Sequence, residues 1–422
     1  MEQQEMPITA IDLDMTNDCV LRCDYCFRGQ KENRYLTYEV GTRALDWLIE
    51  NSGNAKSLSV ALFGGEPLMH FKMIKRLVPY GKRKAAYHGK KMHFGATTNS
   101  VLVNDEIIEY FRQHGMTFHT SIDGGRISHD KHRHFPNGKG SWDIIVPKIK
   151  KILSFWPNTT ARATITNDNI ERWLQDTLDL VALGYKNLAM IPVPECEWTQ
   201  DQWNIMAREL RKISDYYIER YRQGNPVYIK HIEDAIGSIV KPRRRRHHCG
   251  AGRGNIAVKT DGTLYPCHRF GGELASPEWC LGSIFEGGLD QKKRSILLNF
   301  DCHTQLKAER ECESCLAVHM CGTCCIAVNY AMFGDIYKNP ESHCRMYEMF
   351  YREGLRVHYI LQSEKNQEFV NKFYGDPDKR RNNRRSPRTR GPGEKQDRPD
   401  EEKTEVPLAP DVPSTESLEK VC

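Results

Sequence analysis

The stretch Asn17-Asp18-Cys19-Val20-Leu21-Arg22-Cys23-Asp24-Tyr25-Cys26-Phe27 places three cysteines within eight residues, spaced by three residues and then by two. A structural zinc site closes on four ligands, and this stretch offers three and no histidine. Three thiolates suit an iron–sulfur cubane that takes three irons from cysteine and leaves the fourth open to a ligand. The plainer readings are three unrelated thiols, or half of a zinc site completed from distant residues. Later parts of the chain agree better with iron.

Outward from that stretch, short β-branched runs alternate with longer amphipathic ones. Candidate strands are Ile8–Met15, Ser57–Phe63, Met92–Thr98, Met116–Ile122, Ala161–Thr166 and Asn187–Val193. Helical spacing fills the intervals, as in Thr37–Glu50, Asp105–His114 and Trp142–Phe155. Six such units predict an α/β fold with a parallel sheet, a partial (β/α)6 barrel of the TIM type, with a doubly wound sheet as the alternative. The unusual residues follow the strands: the cysteines after the first, Gly64-Gly65-Glu66-Pro67 after the second, Thr98-Asn99-Ser100 after the third, and Ser121-Ile122-Asp123-Gly124-Gly125 at the fourth. Such barrels build their sites on that carboxyl face.

A chain of 422 residues implies two or three domains. It has no apolar run long enough to cross a bilayer and no signal-peptide pattern in Met1-Glu2-Gln3-Gln4-Glu5, so a cytoplasmic protein is expected. There, 15 cysteines, an odd number, speak for metal or cluster ligation rather than disulfides. The net charge of +6 is modest and concentrated locally, which does not point to nucleic acid.

The C-x3-C-x2-C spacing, with Tyr25 before the last cysteine, together with Gly64-Gly65-Glu66-Pro67, resembles the radical S-adenosylmethionine (SAM) enzymes. The resemblance implies that Cys19, Cys23 and Cys26 hold a 4Fe–4S cluster. It implies that Gly64 and Gly65 admit the methionine half of SAM closely while Glu66 accepts its ammonium. Ser121 and Arg133 match positions that hold the methionine carboxylate in the SPASM branch of that superfamily, and the backbone near Tyr25 and Phe27 would meet the adenine.

A second set of cysteines strengthens the resemblance. Cys249, Gly262, Cys267, Cys312, Cys315, Cys321, Cys325 and Cys344 follow C-x12-G-x4-C, a gap, C-x2-C-x5-C-x3-C, a gap, and C, like the seven-cysteine SPASM signature. Two auxiliary 4Fe–4S clusters are thereby implied: one on Cys312, Cys315, Cys321 and Cys344, and one on Cys249, Cys267 and Cys325. Sulfatase-maturing relatives complete the latter with a cysteine where this chain has Asn255, so Cys280, Cys302, Cys324 or an open corner remain as alternatives. Two zinc knuckles at Cys312-x2-Cys315 and Cys321-x2-Cys324 are the competing reading, but their spacer is short and four cysteines would go unused. Cys196 and Cys422 receive no role.

The expected division is a SAM barrel over 1–235, a SPASM domain over 236–365 and a charged disordered tail over 366–422. The tail is either inert or a basic arm that attracts an acidic peptide. By resemblance the chain cleaves SAM to a 5′-deoxyadenosyl radical, which takes hydrogen from a peptide residue. The partners then expected are a peptide or protein substrate, a flavodoxin- or ferredoxin-type electron donor and a separate leader-binding protein. A maturase of ribosomal peptides is favoured over an anaerobic sulfatase maturase, in which an Asp acting as base follows the Tyr-Pro-Cys stretch. Here His268 follows Tyr265-Pro266-Cys267, and histidine can take a proton near neutral pH. A non-catalytic iron–sulfur carrier is the alternative from another class, though it would have no use for Gly64-Gly65-Glu66.

Overall fold

In β1 (Ala10–Thr16) almost every position is buried, which requires neighbours on both edges and cover on both faces. The computed structural model describes residues 6–29, 31–242, 249–272, 277–286, 288–301, 312, 314–322 and 325–375. In it β1 lies between β2 (Ser57–Gly64) and β8 (Asn255–Val258), parallel to both. Beyond β2 follow β3 (Lys91–Thr98), β4 (Thr117–Ser121), β5 (Thr160–Ile165), β6 (Asn187–Pro192) and β7 (Tyr228–Ile229), all parallel. On the other side β9 (Thr263–Tyr265), β10 (Gly282–Ser283) and β11 (Gly288–Leu289) continue antiparallel from β8. The six strands expected from sequence are present with ends shifted by at most two residues. The α/β partial barrel is therefore the fold, and the doubly wound alternative falls away. Residues beyond 235 extend its sheet at β1 rather than building a sheet of their own.

The helices α1 (Tyr38–Glu50), α2 (Phe71–Tyr87), α3 (Asp105–Gln113), α4 (Arg126–His132), α5 (Trp142–Phe155), α6 (Trp173–Ala182), α7 (Gln200–Arg222), α8 (Lys230–Val240) and α9 (Gln291–Leu298) connect and cover these strands. Their starts are chemically marked. Thr37 caps α1, Asn104 caps α3, and Thr199 with Gln202 forms a reciprocal capping box on α7. Met206, Leu210, Ile213, Tyr217 and Tyr221 form the buried stripe of α7.

Burial alternates along the strands. Leu58, Val60 and Leu62 of β2, Met92, Phe94 and Ala96 of β3, and Phe118 and Thr120 of β4 lie buried beneath the helices. Their alternates Ser59, His93 and His119 are exposed on the inner face, and Thr97 and Ser121 are half-buried there. A closed TIM barrel packs its interior with branched apolar side chains. This one keeps a polar, accessible inner face with room for a ligand.

The helix Glu341–Ser363 packs on α8, where Gly354 allows the backbones to approach because a Cβ would overlap the Ala235 methyl. The first residues of the stretch expected as tail are ordered. Gln367–Tyr374 is a helix, capped by Asn366 and anchored by Phe369, which is wholly buried with its ring 5.8 Å from that of Tyr221. One buried aromatic and one cap mark this helix, which lies inside the boundary drawn at 366. Residues 243–248, which read Arg-Arg-Arg-Arg-His-His, and Cys302, Cys324 and the stretch 376–422 with Cys422 lie outside the described residues.

Candidate active site

After Thr16 the chain leaves β1, carries the three cysteines, and returns antiparallel. Asn17 N–H and the Thr16 hydroxyl donate to Arg34 O at 3.0 and 2.9 Å, and Leu36 N–H donates to Met15 O at 3.0 Å. Inside this closed loop, Asp18 Oδ1 accepts from Cys19 N–H at 2.8 Å and Cys26 N–H donates to Cys23 O at 3.1 Å. Burial pushes the Cys19 thiol up to about 12, with the charges of Glu66 and Cys23 adding to the effect. Burial also raises Cys23; Arg133 opposes this and Cys26 reinforces it. The three sulfurs therefore act on one another within one pocket. Donors converge on them: Leu21 N–H and Asn99 Nδ2 reach Cys19 Sγ at 3.4 and 3.5 Å, and Lys31 Nζ reaches Cys26 Sγ at 2.9 Å. Among the described residues no three His, Cys, Asp or Glu side chains gather closely enough for one metal ion. A cubane spreads its cysteines over separate irons, so a looser set of soft thiols with hydrogen-bond donors at the sulfurs fits a cluster.

The glycine loop is built against this cysteine loop. Gly65 N–H donates to Thr16 O at 2.8 Å and Glu66 N–H to Asp18 O at 2.9 Å. Gly64 has a φ of +126°, and a Cβ at Gly65 would overlap the Asp18 carbonyl oxygen. The glycines thus serve the packing of two loops. Gly65→Ala should destabilise the protein by about 1–3 kcal/mol through overpacking against backbone and depress SAM cleavage, measured by thermal unfolding and 5′-deoxyadenosine release. Glu66 is buried; its carboxylate accepts from Leu68 N–H at 3.1 Å, the Thr98 hydroxyl at 2.8 Å and Asn99 N–H at 2.8 Å. Burial raises it to about 7 against those hydrogen bonds. It ties the ends of β2 and β3 together beside Cys19.

Arg133 lies where the chain after α4 runs beside the cysteine loop: Arg22 N–H donates to His134 O at 2.8 Å and Asp24 N–H to His132 O at 3.3 Å. Asp24 in turn accepts from His134 Nε2 at 2.9 Å. The segment His132-Arg133-His134 is therefore a strap on the cysteine loop. The Arg133 fork meets Asp123 twice, Nε to Oδ2 at 2.8 Å and Nη2 to Oδ1 at 3.1 Å. Burial alone would lower this guanidinium; the Asp123 charge more than offsets it and holds Arg133 well above its ordinary value. The Tyr25 hydroxyl donates to Asp123 Oδ2, and the Arg133 guanidinium stands 5.4 Å from the Tyr25 ring. Ser121 closes β4 two residues before Asp123.

His268 comes from the second half of the chain into the same region. Its ring is 4.2 Å from that of Phe63 and 5.8 Å from that of Phe27, and its Nδ1 lies 2.8 Å from Asp12 Oδ2. Asp12 also accepts from Asn255 Nδ2 at 3.1 Å. Burial raises Asp12, yet these hydrogen bonds and the His268 charge bring it below the usual carboxylate range. Asn255 thus holds Asp12, which gives that side chain a role of its own. Nearby, Cys267 is raised by burial and by the neighbouring Cys325 and Cys249, and Cys249 is raised by burial and, less, by Cys325. These three thiols form one group, with Arg269 hydrogen-bonded to Cys325 and paired with Glu195 at 2.8 Å. Cys280 instead donates to Gly282 O at 3.6 Å. In the remaining set, Cys315 N–H donates to Cys312 O at 3.4 Å, Cys321 Sγ lies 3.7 Å from His343 Nε2, and Asn339 Nδ2 donates to Cys344 Sγ at 3.2 Å.

Sequence reasoning missed the two acids of β1, Asp12 and Asp14. Asp14 is wholly buried and paired with Arg28 and Lys259, each at 2.8 Å, which fastens the cysteine loop to the second half of the chain. The available signal was Ile11-Asp12-Leu13-Asp14-Met15, in which carboxylates occupy alternate positions of an otherwise apolar strand.

The fold and these loops define an enzyme class. Residues 13–181 match the model of the Radical SAM superfamily; the chain carries a radical SAM domain, the domain of a class of enzymes that works with SAM and a 4Fe–4S cluster. It is similar to an uncharacterized protein of Methanocaldococcus jannaschii, 26% identical over 64% of this chain and 87% of that one. It is likewise similar to the cysteine-type anaerobic sulfatase-maturating enzyme of Clostridium novyi, 22% identical over 82% of this chain and 96% of that one. Among solved structures it resembles anSMEcpe with bound AdoMet and Cp18Cys peptide, with a TM-score of 0.68 and 18% identity over 84% of this chain and 99% of that one. It also resembles Streptococcus suis SuiB bound to the precursor peptide SuiA, with a TM-score of 0.54 and 16% identity over 80% and 76%. Among the described residues no helix is long and apolar enough to cross a membrane.

Proposed function

We propose that this enzyme oxidatively modifies a residue of a ribosomal peptide, forming a crosslink or a related bond. One observation carries the reading: His268, next to Cys267 of the second thiol group, stands between Phe27 of the cysteine loop and Phe63 of the glycine loop. A substrate at the barrel mouth would then touch both halves of the chain. The proposed halves are 1–235 for SAM and 236–365 for the auxiliary clusters, followed by the charged segment. The peptides bound to anSMEcpe and to SuiB support the substrate class.

When bound, SAM on its cluster supplies a 5′-deoxyadenosyl radical able to take hydrogen from carbon. In this reading Cys19, Cys23 and Cys26 hold that cluster, and Glu66 receives the methionine ammonium. The segment Tyr25–Phe27 borders the adenine, with Tyr25 held by Asp123. Cys312, Cys315, Cys321 and Cys344 hold one auxiliary cluster, and Cys249, Cys267 and Cys325 hold three corners of the other. Asp12 fixes His268 so that Nε2 faces the substrate as proton acceptor. A flavodoxin- or ferredoxin-type protein supplies electrons, and a separate protein delivers the peptide leader.

Cys321→Ala should spare SAM cleavage but stop product formation, read as 5′-deoxyadenosine release without a mass change in the peptide. The deciding experiment is anaerobic incubation with the small peptides encoded beside the gene, followed by mass spectrometry. Loss of two hydrogens with sulfur retained supports the crosslink. An aldehyde at Cys or Ser would replace it with the sulfatase-maturase reading, which the similarity to anSMEcpe favours. No mass change in any peptide would overturn both.

A further inference from the structure

Lys31 lies five residues beyond the last cysteine of the first loop, and a tight turn brings it back to that cysteine. Gly29 N–H donates to Cys26 O at 3.2 Å, and Gly29 has a φ of +62°, so the chain reverses at Arg28-Gly29. The loop closes further on, where Arg34 O accepts from Asn17 N–H at 3.0 Å. Within that closed loop the Lys31 ammonium donates to Cys26 Sγ at 2.9 Å. Burial raises the thiols of Cys19 and Cys23, and the Lys31 charge pulls against the rise at both. One ammonium therefore acts on all three sulfurs.

The carboxylates of the same loop and of β1 are engaged elsewhere. Glu32 pairs with Arg34 at 3.4 Å on the surface, Asp18 accepts from Cys19 N–H at 2.8 Å, and Asp14 holds Arg28 and Lys259. Among the described residues no ion pair joins Lys31 to an acid; the partner of its ammonium is sulfur. Arg269, the cation hydrogen-bonded to Cys325 in the second half of the chain, instead shares its charge with Glu195 at 2.8 Å. Lys31 is half-buried, so water screens it only in part. A cluster gains negative charge when it takes an electron, and its potential follows its net charge and the hydrogen bonds at its sulfurs. A cation at one ligand sulfur therefore favours the reduced state over the oxidised one.

We propose that Lys31 tunes the cluster expected on Cys19, Cys23 and Cys26: its unbalanced ammonium at the Cys26 sulfur raises the reduction potential and eases the electron transfer that precedes SAM cleavage. One electron enters from a low-potential iron–sulfur or flavin protein; in this step no bond forms or breaks and no proton moves. Lys31 acts through Cys26, not on SAM or the substrate. The inference rests on the three cysteines as cluster ligands and is independent of the peptide reading.

The test uses the full-length, anaerobically reconstituted enzyme as wild type, Lys31→Met, Lys31→Gln, which keeps a donor without the charge, and Lys31→Arg, which keeps both. Iron content and thermal unfolding show which variants are intact. Midpoint potentials are read by EPR-monitored redox titration of the signal that changes when SAM is added, which singles out the cluster with the open iron. Lys31→Met and Lys31→Gln are expected to make one-electron reduction about tenfold less favourable, a fall of about 59 mV, while Lys31→Arg stays near the wild type. Release of 5′-deoxyadenosine from these two variants should then fall about tenfold further with a mild reductant than with a strong one. An intact Lys31→Gln with the wild-type midpoint would overturn the proposal. So would equal falls in all three variants, which would make the effect one of shape, or loss of the cluster from all three, which would make Lys31 an assembly residue. A wild type with no SAM-responsive signal would overturn the cysteine assignment as well, so the two failures are distinguishable.

Discussion

Replacing Cys19 with alanine is expected to lower 5′-deoxyadenosine release from SAM roughly a thousandfold or more, measured anaerobically under strong reductant. Cys19 is the sulfur on which two loops converge, receiving Leu21 N–H from its own loop and Asn99 Nδ2 from the end of β3. Glu66, the expected ammonium acceptor, is close enough for its charge to raise the Cys19 thiol. Removing this sulfur deprives a three-cysteine cluster of the corner nearest the expected methionine site. The surrounding scaffold should survive, because Glu66 keeps its bonds to Thr98, Asn99 and Leu68. A variant with near-normal unfolding and no SAM cleavage is therefore the predicted pair of results. Substantial residual cleavage would show that Cys19 is not a cluster ligand.

The largest expected loss of stability is at Asp123. Asp123→Ala would leave the buried Arg133 guanidinium without its counter-ion, the Tyr25 hydroxyl without its acceptor, and Thr164 N–H unpaired. Asp123 has no exposed surface and Arg133 only 9%, so solvent cannot take over. Breaking a buried pair by deleting one partner costs about 3–5 kcal/mol. That loss should appear as a lower denaturant midpoint at unchanged slope. Asp123→Asn, which keeps a hydrogen-bond acceptor, should lose less. Equal stability of the alanine variant and the wild type would mean that the pair does not form. SAM binding should weaken in parallel, because Tyr25 is held against the cysteine loop through this carboxylate.

The fold was readable because its signals are local. Alternation in Ser57–Phe63 and Met92–Thr98, and caps at Thr37 and Asn104, declare strands and helices without reference to distant residues. The cysteines were readable for the same reason, since ligand spacing is a property of short segments. What stayed hidden depends on pairing across the chain. Nothing near Asp14 announces Arg28 and Lys259, and nothing near Arg133 announces that Asp123 takes its fork. The glycines illustrate a subtler difference. Spacing marks Gly64 and Gly65 as room for a ligand, and says nothing of the close approach to Thr16 and Asp18 that the same two glycines also permit. At the far end, Phe369 anchors a helix just ahead of the charged segment, inside the boundary drawn at 366.

The union of β8 with β1 has a practical corollary. Four backbone pairings, Ala10↔Asn255 through Leu13↔Val258, cover the outer rim of the strand that leads into the cysteine loop. An excised barrel ending near 235 would leave that rim as a naked row of amides and carbonyls beside apolar side chains, a surface prone to self-stacking. Attempts to obtain a minimal SAM-cleaving fragment by truncation should therefore yield insoluble material. Insertions at a peripheral turn, such as the one around Gly89, would be a gentler way to dissect the molecule.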